Sequence, residues 1–236
     1  MQIKNVKVYG LEESLIRSGY PMQTGEPEDL PQDVICIDIN TIPTNIIEED
    51  KILDYVENNN LGQKIKADKC IIKDTDKKRA EKLARTPNGS GHNNFLKGII
   101  VQFDLQYPEY FSPQLQRYHW VDIVSSQSKM HKITSRILTK DDFTENTFWL
   151  SIVHINDLIN RYNSNTEINS DKKLIFNQII SSLPSGYLKW MGISTNYLQL
   201  KTIYYQRRHH KLQEWQDFCK FLETLPMSEL ITGKDE

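Results

Sequence analysis

The stretch GHNNFLKGIIVQFDLQYPEYFSPQLQRYHWVDIVSSQSKMH, residues Gly91–His131, decides how the chain is read. A small-residue loop with a histidine (Gly89, Ser90, Gly91, His92) runs into Ile99–Leu105. There Val101, Phe103 and Leu105 point one way and Gln102 and Asp104 the other, a period of two that predicts a half-buried strand. Pro108 and Pro113 bracket a turn and a helix start. Gln114, Arg117 and His119 follow closely, and a Ser/Gln/Lys/His cluster ends the stretch. Polar donors just past a strand end form a common seat for anionic ligands.

Working outward, Ile3–Val8 and Val34–Ile39 read as strands, and Leu188–Ser194 as a second central strand. Helical spacing predicts Leu11–Ser18, Ile46–Asn58, Thr75–Arg85, Phe143–Tyr162, Asp171–Ser182, Asn196–Arg207 and His210–Leu225. In the last of these, Leu212, Trp215, Phe218, Cys219 and Leu222 make an apolar stripe. Residues 227–236 read as a disordered tail. Strands and helices are interspersed and no linker splits the chain, so the expectation is one domain over 1–236. Its class is α/β (α+β), with a central mixed sheet flanked by helices.

The chain has 236 residues, 38% of them apolar and 25% charged, with a formal net charge of −2. That composition suits a globular protein and supplies no global positive field for nucleic acid. No apolar run approaches the ~18 residues of a membrane span, and the N-terminus reads as a strand rather than a signal core. Cys36, Cys70 and Cys219 form no CxxC pair and are expected to be reduced, inert thiols in a cytoplasm.

Several polar groups have two readings. Arg117 is either a solvated cation or a fork for a phosphate or carboxylate. Arg207 lies three residues beyond Tyr204 and seven beyond Leu200, near the packed side of its helix. An arginine there needs an anionic partner, either a neighbouring carboxylate such as Glu214 or a ligand. His209 and His210 are adjacent, so they point about 100° apart on a helix and make a poor metal pair; no metal site is assigned. Ser125, Ser126 and Ser128 have no His–Asp arrangement that sequence establishes, and neither GxGxxG nor GxxxxGK[ST] occurs.

Two segments resemble the flavin-dependent thymidylate synthase family. That family has a GH element, a strand, and a Gln three residues before RHRxxSxNExSxRY. Here the strand follows Gly91-His92, and Gln114 and Arg117 match the Gln and the first Arg. Tyr118 and His119 stand where the family has His and Arg. With one inserted residue, Ser128 matches the later Ser and His131 falls on the Tyr position; the Asn-Glu pair is absent in either register. In the second segment, Leu183-Pro184, Thr195-Asn196, Leu200, Arg207 and Gln213 follow the family's LP…T-x-N-x-x-x-L…LR…Q order.

The resemblance implies a homotetramer with active sites shared between subunits, Arg117 and Arg207 coming from different ones. It implies FAD, and methylation of dUMP to dTMP with methylenetetrahydrofolate and NADPH as co-substrates. Carried over residue by residue, Gln114, Arg117, Ser128 and Arg207 would contact the pyrimidine deoxynucleotide. His92, Asn94, His119 and Asn196 would lie near the flavin. The missing Asn-Glu pair and the His at position 119 imply weak FAD binding, lost on purification. A diverged, non-catalytic nucleotide-binding or regulatory oligomer, and an interaction protein that kept only the scaffold, stand as alternatives. Divergence of this kind suits a phage or mobile element. No catalytic residue is assigned.

Overall fold

A computed structural model describes residues 1–24, 74–164 and 169–233. The expected strand Val34–Ile39 and helix Ile46–Asn58 lie outside the described residues, as do Cys36 and Cys70.

In chain order the elements are strand β1 (Gln2–Tyr9), helix α1 (Leu11–Arg17), helix α2 (Asp74–Ala84), strand β2 (Ile100–Pro108) and the short helix α3 (Ser112–Leu115). Then come strand β3 (Asp122–Ser126), the short helix α4 (Lys129–Lys132), and helices α5 (Trp149–Asn163) and α6 (Asn169–Ser182). Strand β4 (Leu188–Asn196) leads directly into α7 (Tyr197–Arg207), followed by α8 (Gln213–Leu222) and α9 (Glu229–Thr232).

The described strands form one four-stranded sheet in the order β1-β2-β4-β3. The two strands read as central, β2 and β4, are neighbours, pairing from Ile100↔Asn196 to Pro108↔Leu188. Among the described residues every pairing is antiparallel, where a mixed sheet was expected. Alternation marks which face is buried but not which way a strand runs, so direction was not encoded in the pattern used. An antiparallel sheet with one covered face does fit that pattern. Val101, Phe103, Leu105 and Tyr107 of β2 and Met191 and Ile193 of β4 are buried in one cluster with Leu200, Ile203 and Tyr204 of α7 and Trp215, Phe218 and Leu222 of α8. A second cluster joins Ile152, Ile155 and Ile159 of α5 to Ile175 and Ile179 of α6, over Ile133, Leu138 and Phe143.

Three expectations are revised. Strand β3 was not foreseen: all five of its residues are exposed, so burial imposed no alternation on its sequence. Helix α5 begins at Trp149, not Phe143. Phe143 instead bridges Tyr187, and Thr139 and Asp142 close a capping box on the turn before it. The tail is ordered as far as it is described: α9 buries Leu230 and Ile231 against the main core. Two adjacent apolar residues in a short polar tail gave too little periodicity to read.

Candidate functional site

Pro113 opens α3, where its missing N–H is not needed and its fixed φ suits a first turn. The short helix and the turn after it carry Gln114, Arg117 and Tyr118 to the C-terminal end of α7, where Arg207 sits in the last turn. A cation at that end meets the negative pole of the helix. Arg207 Nε donates to Tyr118 Oη at 2.6 Å, and its Nη1 reaches Gln114 Oε1 at 3.4 Å. Trp215 Nε1 donates to the same Gln114 oxygen at 2.9 Å. Two donors on one oxygen fix the amide orientation, so the Gln114 nitrogen is the end left to donate. Tyr118 Oη in turn donates to Gln206 Oε1 at 3.1 Å. The guanidinium lies 4.7 Å from the Trp215 ring centre and 5.5 Å from that of Tyr118, both within cation–π range.

Arg207 forms no ion pair with a carboxylate among the described residues. Glu214, the carboxylate considered as its partner, instead accepts a short hydrogen bond from Tyr110. Burial, and then Glu214, push the Tyr110 phenol well above its usual range.

Arg117, Tyr118, His119, Gln199, Thr202, Gln206 and Arg207 line a cavity of about 320 Å³. Two arginines and, among the described residues, no carboxylate line it, a charge balance that suits an anion. Within one chain, the turn after α3 packs back on α7 and brings Arg117 and Arg207 to the same cavity. Of the four residues carried over to the nucleotide, Arg117 and Arg207 line this cavity, and Gln114 touches Arg207 without lining it. The fourth, Ser128, lies elsewhere, on a separate cavity of about 440 Å³ beside α4.

The residues carried over to the flavin do not share one cavity within the chain. His119 is exposed at the mouth of the arginine cavity, its ring stacked 5.8 Å from that of Trp120. Asn196 is buried and caps α7, its side chain accepting from Gln199 N at 2.9 Å. It also lines a third cavity of about 310 Å³ with Lys97, Trp120 and Asp122. His92 and Asn94 are exposed on the loop before β2, where Gly89 and Gly91 take positive φ of 90° and 81°. Among the described residues, His92, Asn94, His119 and Asn196 thus stand in three separate places.

Several residues that build this region were not singled out from sequence. Lys201 of α7 is 5% exposed, and its Nζ donates to Ala84 O at 2.5 Å and Thr86 O at 2.7 Å, closing the end of α2. Burial lowers its pKa. Asn93 Nδ2 donates to Thr86 O and to Asn88 Oδ1, both at 3.2 Å, and Asn88 Nδ2 donates to Thr202 Oγ1 at 2.9 Å. The loop that carries His92 and Asn94 is thereby fastened to α7 and to the cavity wall. Nothing in a lone Lys or Asn signals such a role in sequence, because Lys201 reaches carbonyls, and Asn88 a hydroxyl, that are distant along the chain. Cys219 is buried, and burial pushes its thiol up to about 11, so it is no nucleophile at neutral pH. Among the described residues, no three His, Cys, Asp or Glu side chains gather as a metal site. No described helix is long and apolar enough to cross a membrane.

No family model and no curated protein matches the sequence. Among solved structures, the flavin-dependent thymidylate synthase ThyX from Helicobacter pylori, complexed with FAD and dUMP, aligns at a TM-score of 0.53. Identity is 14%, over 76% of this chain and 90% of that one. A second structure of Thymidylate Synthase X from Helicobacter pylori, with FAD and dUMP, aligns at a TM-score of 0.54 and 14% identity, over 81% of this chain and 92% of that one. The likeness shows that the chain has the fold of those enzymes.

Proposed function

We propose that the protein binds a pyrimidine deoxynucleoside monophosphate, dUMP by the family resemblance, in the cavity walled by Arg117 and Arg207. The observation that carries this is a pair of arginines facing one cavity with no carboxylate in its lining. Arg207 is the stronger determinant. Its guanidinium is held by Tyr118 and Gln114 and flanked by Trp215, so it is oriented before ligand arrives. Its remaining N–H groups can fork onto a phosphate or a pyrimidine carbonyl, a geometry lysine lacks. The Gln114 amide nitrogen adds a neutral donor that favours a carbonyl acceptor. His119, carried over to the flavin, lines the same cavity.

The full reaction within this proposal is methylation of dUMP to dTMP, with methylenetetrahydrofolate and NADPH as co-substrates and FAD supplying the hydride chemistry when bound. It is supported by the shared fold and by the dUMP and FAD held in the Helicobacter pylori enzymes. Assembly as a homotetramer belongs to this reading, since His92, Asn94, Ser128 and Asn196 would then meet the arginine cavity across subunits. The second reading is a non-catalytic nucleotide-binding or regulatory oligomer, favoured by the scatter of the flavin residues over three places in one chain. Titration calorimetry with dUMP, dTMP and dCMP tests the shared premise; heat with none of them removes it. The absorbance spectrum of protein supplied with FAD and freed of excess separates the two readings. A retained flavin band supports the enzyme, and nucleotide binding without one supports the regulator.

A further inference from the structure

Gln199, Thr202 and Gln206 of α7 line the arginine cavity, and none of them carries the family resemblance. Their spacing of i, i+3 and i+7 puts them on one stripe of the helix. The family's order has Leu just before the arginine, where this chain has Gln206, and leaves position 199 unspecified. It has His where this chain has Tyr118. The two departures meet in space, since Tyr118 Oη donates to Gln206 Oε1 at 3.1 Å.

The hydrogen-bond directions of this wall are set by groups that can only donate. Arg207 Nε donates to Tyr118 Oη at 2.6 Å, which leaves the phenol hydrogen for the Gln206 oxygen. The backbone N–H of Trp120 donates to Gln199 Oε1 at 3.3 Å. With both oxygens taken, both amides present NH₂ as the free end. Gln199 is 8% exposed, and its Nε2 has no partner among the described residues. A buried N–H without an acceptor is costly, so a ligand atom that accepts there is favoured. Thr202 Oγ1 spends its hydrogen on Leu198 O at 3.1 Å and accepts from Asn88 Nδ2 at 2.9 Å. The oriented groups left to meet a ligand, the two amides and Arg207, therefore all offer N–H. Arg117 is charged and exposed, which suits a hydrated phosphate at the mouth. Gln199 is neutral and buried, which suits a ring carbonyl, since a neutral acceptor loses less than a phosphate on leaving water.

We infer that Gln199, assisted by Gln206 at the rim, is a specificity-determining residue that reads the carbonyl at ring position 4 of a pyrimidine and turns cytosine away. The inference rests on the nucleotide proposal and fixes which pyrimidine that site takes. Uracil and thymine carry an acceptor at position 4. Cytosine carries an amine there, so donor would face donor and the buried amide would stay unpaired.

The test is calorimetry with dUMP, dTMP and dCMP on the full chain, for wild type, Gln199→Glu and Gln206→Glu. Glutamate keeps the shape and one oxygen for Trp120 N–H or Tyr118 Oη, but its second oxygen accepts where the amide donated. The readout is the ratio of dUMP to dCMP affinity, because an added carboxylate repels the phosphate of both nucleotides alike. Wild type should prefer dUMP by more than about tenfold. Gln199→Glu should cut that preference at least about tenfold, and Gln206→Glu should cut it by less. An amide that serves only the fold, or that holds the phosphate, would change both affinities together and leave the ratio alone. Gln206 is exposed, so Gln206→Glu carries the same test should the buried Gln199→Glu not fold. A ratio unmoved in the folded variants, or wild type binding dCMP as tightly as dUMP, would overturn the inference and leave the nucleotide proposal standing. No heat from any of the three nucleotides would remove that proposal, and the inference with it.

Discussion

Replacing Arg207 by Lys and by Ala separates a ligand arginine from a structural one. In the free protein the guanidinium makes one short hydrogen bond, to Tyr118 at 2.6 Å, and one long contact, to Gln114 at 3.4 Å. It also stacks over Trp215 and Tyr118. One net hydrogen bond contributes ~0.5–1.5 kcal/mol, and a partly exposed cation–π contact ~0.5–1 kcal/mol. Arg207→Ala should therefore cost about 1–2 kcal/mol in stability, within reach of a urea titration. Lysine keeps the charge but neither the fork nor the planar stack. If the guanidinium also forks onto the nucleotide, its loss removes a charge-assisted interaction of ~1.5–3 kcal/mol. That is roughly a 10- to 100-fold rise in Kd for dUMP at ~1.4 kcal/mol per tenfold. The expected signature is that Arg207→Lys weakens dUMP binding almost as much as Arg207→Ala, although it recovers part of the stability. Calorimetry and urea unfolding on the same preparations read both quantities. Wild-type affinity retained by Arg207→Lys would refute the bidentate contact. Absence of nucleotide heat from wild type, with only stability lost in Arg207→Ala, would make the arginine structural.

Four further outcomes follow from other parts of the fold. Ile231→Ala should destabilise the protein by about 2–5 kcal/mol in denaturant, since α9 buries that residue completely; an unchanged midpoint would return residues 229–232 to a frayed tail. Lys201→Met removes the Lys201 donor from Ala84 O and leaves Thr86 O with Asn93 alone, so stability should fall by about 1–3 kcal/mol, with amide exchange quickened over residues 84–93. The Asp142 carboxyl is held below its usual range, chiefly by its hydrogen bonds to Arg136. Its contribution is therefore full above an ordinary carboxylate pKa and lost as pH falls through the lower folded value. Asp142→Asn should lower stability by ~1 kcal/mol at neutral pH, Arg136 being largely exposed and screened, and the difference from wild type should vanish in acid. Light scattering on purified protein should give a tetramer; a monomer mass across a concentration range would leave Ser128 and Asn196 apart from the arginine cavity.

The parts of the fold legible in sequence are those whose burial is periodic. The alternation of Val101, Phe103 and Leu105 identified β2, and the stripe of Trp215, Phe218 and Leu222 identified α8. Strand β3 is held by backbone pairing to β4 at an edge, and backbone pairing leaves no mark on an exposed side-chain pattern. The same division runs through the site. Arg207 was legible because a charge on an apolar helix face is an anomaly that demands a partner. Tyr118 and Trp215 were not, because an aromatic residue looks the same from sequence whether it fills a core or cradles a guanidinium. Here each does both: Trp215 is fully buried, packs tilted against Phe111, and lies against Arg207. Asn196 was placed near a flavin by resemblance, and its first duty in the structure is local, as the cap of α7.

Helix α7 acts as a ruler. Its cap, its loop fasteners and its arginine lie on one rod, Asn196 at the start, Lys201 and Thr202 in the middle and Arg207 at the end. At 1.5 Å per residue, the loop anchorage and the guanidinium are set about 9 Å apart along the axis. A packed helix does not stretch, so that spacing is a constant of the molecule. Its angular setting is equally fixed. One residue inserted between Thr202 and Arg207 would swing the guanidinium by about 100°, away from Gln114 and Trp215, while Lys201 kept its grip on Thr86. Length and phase of this single helix thus determine whether the exposed loop with His92 and the arginine cavity can serve one bound molecule together.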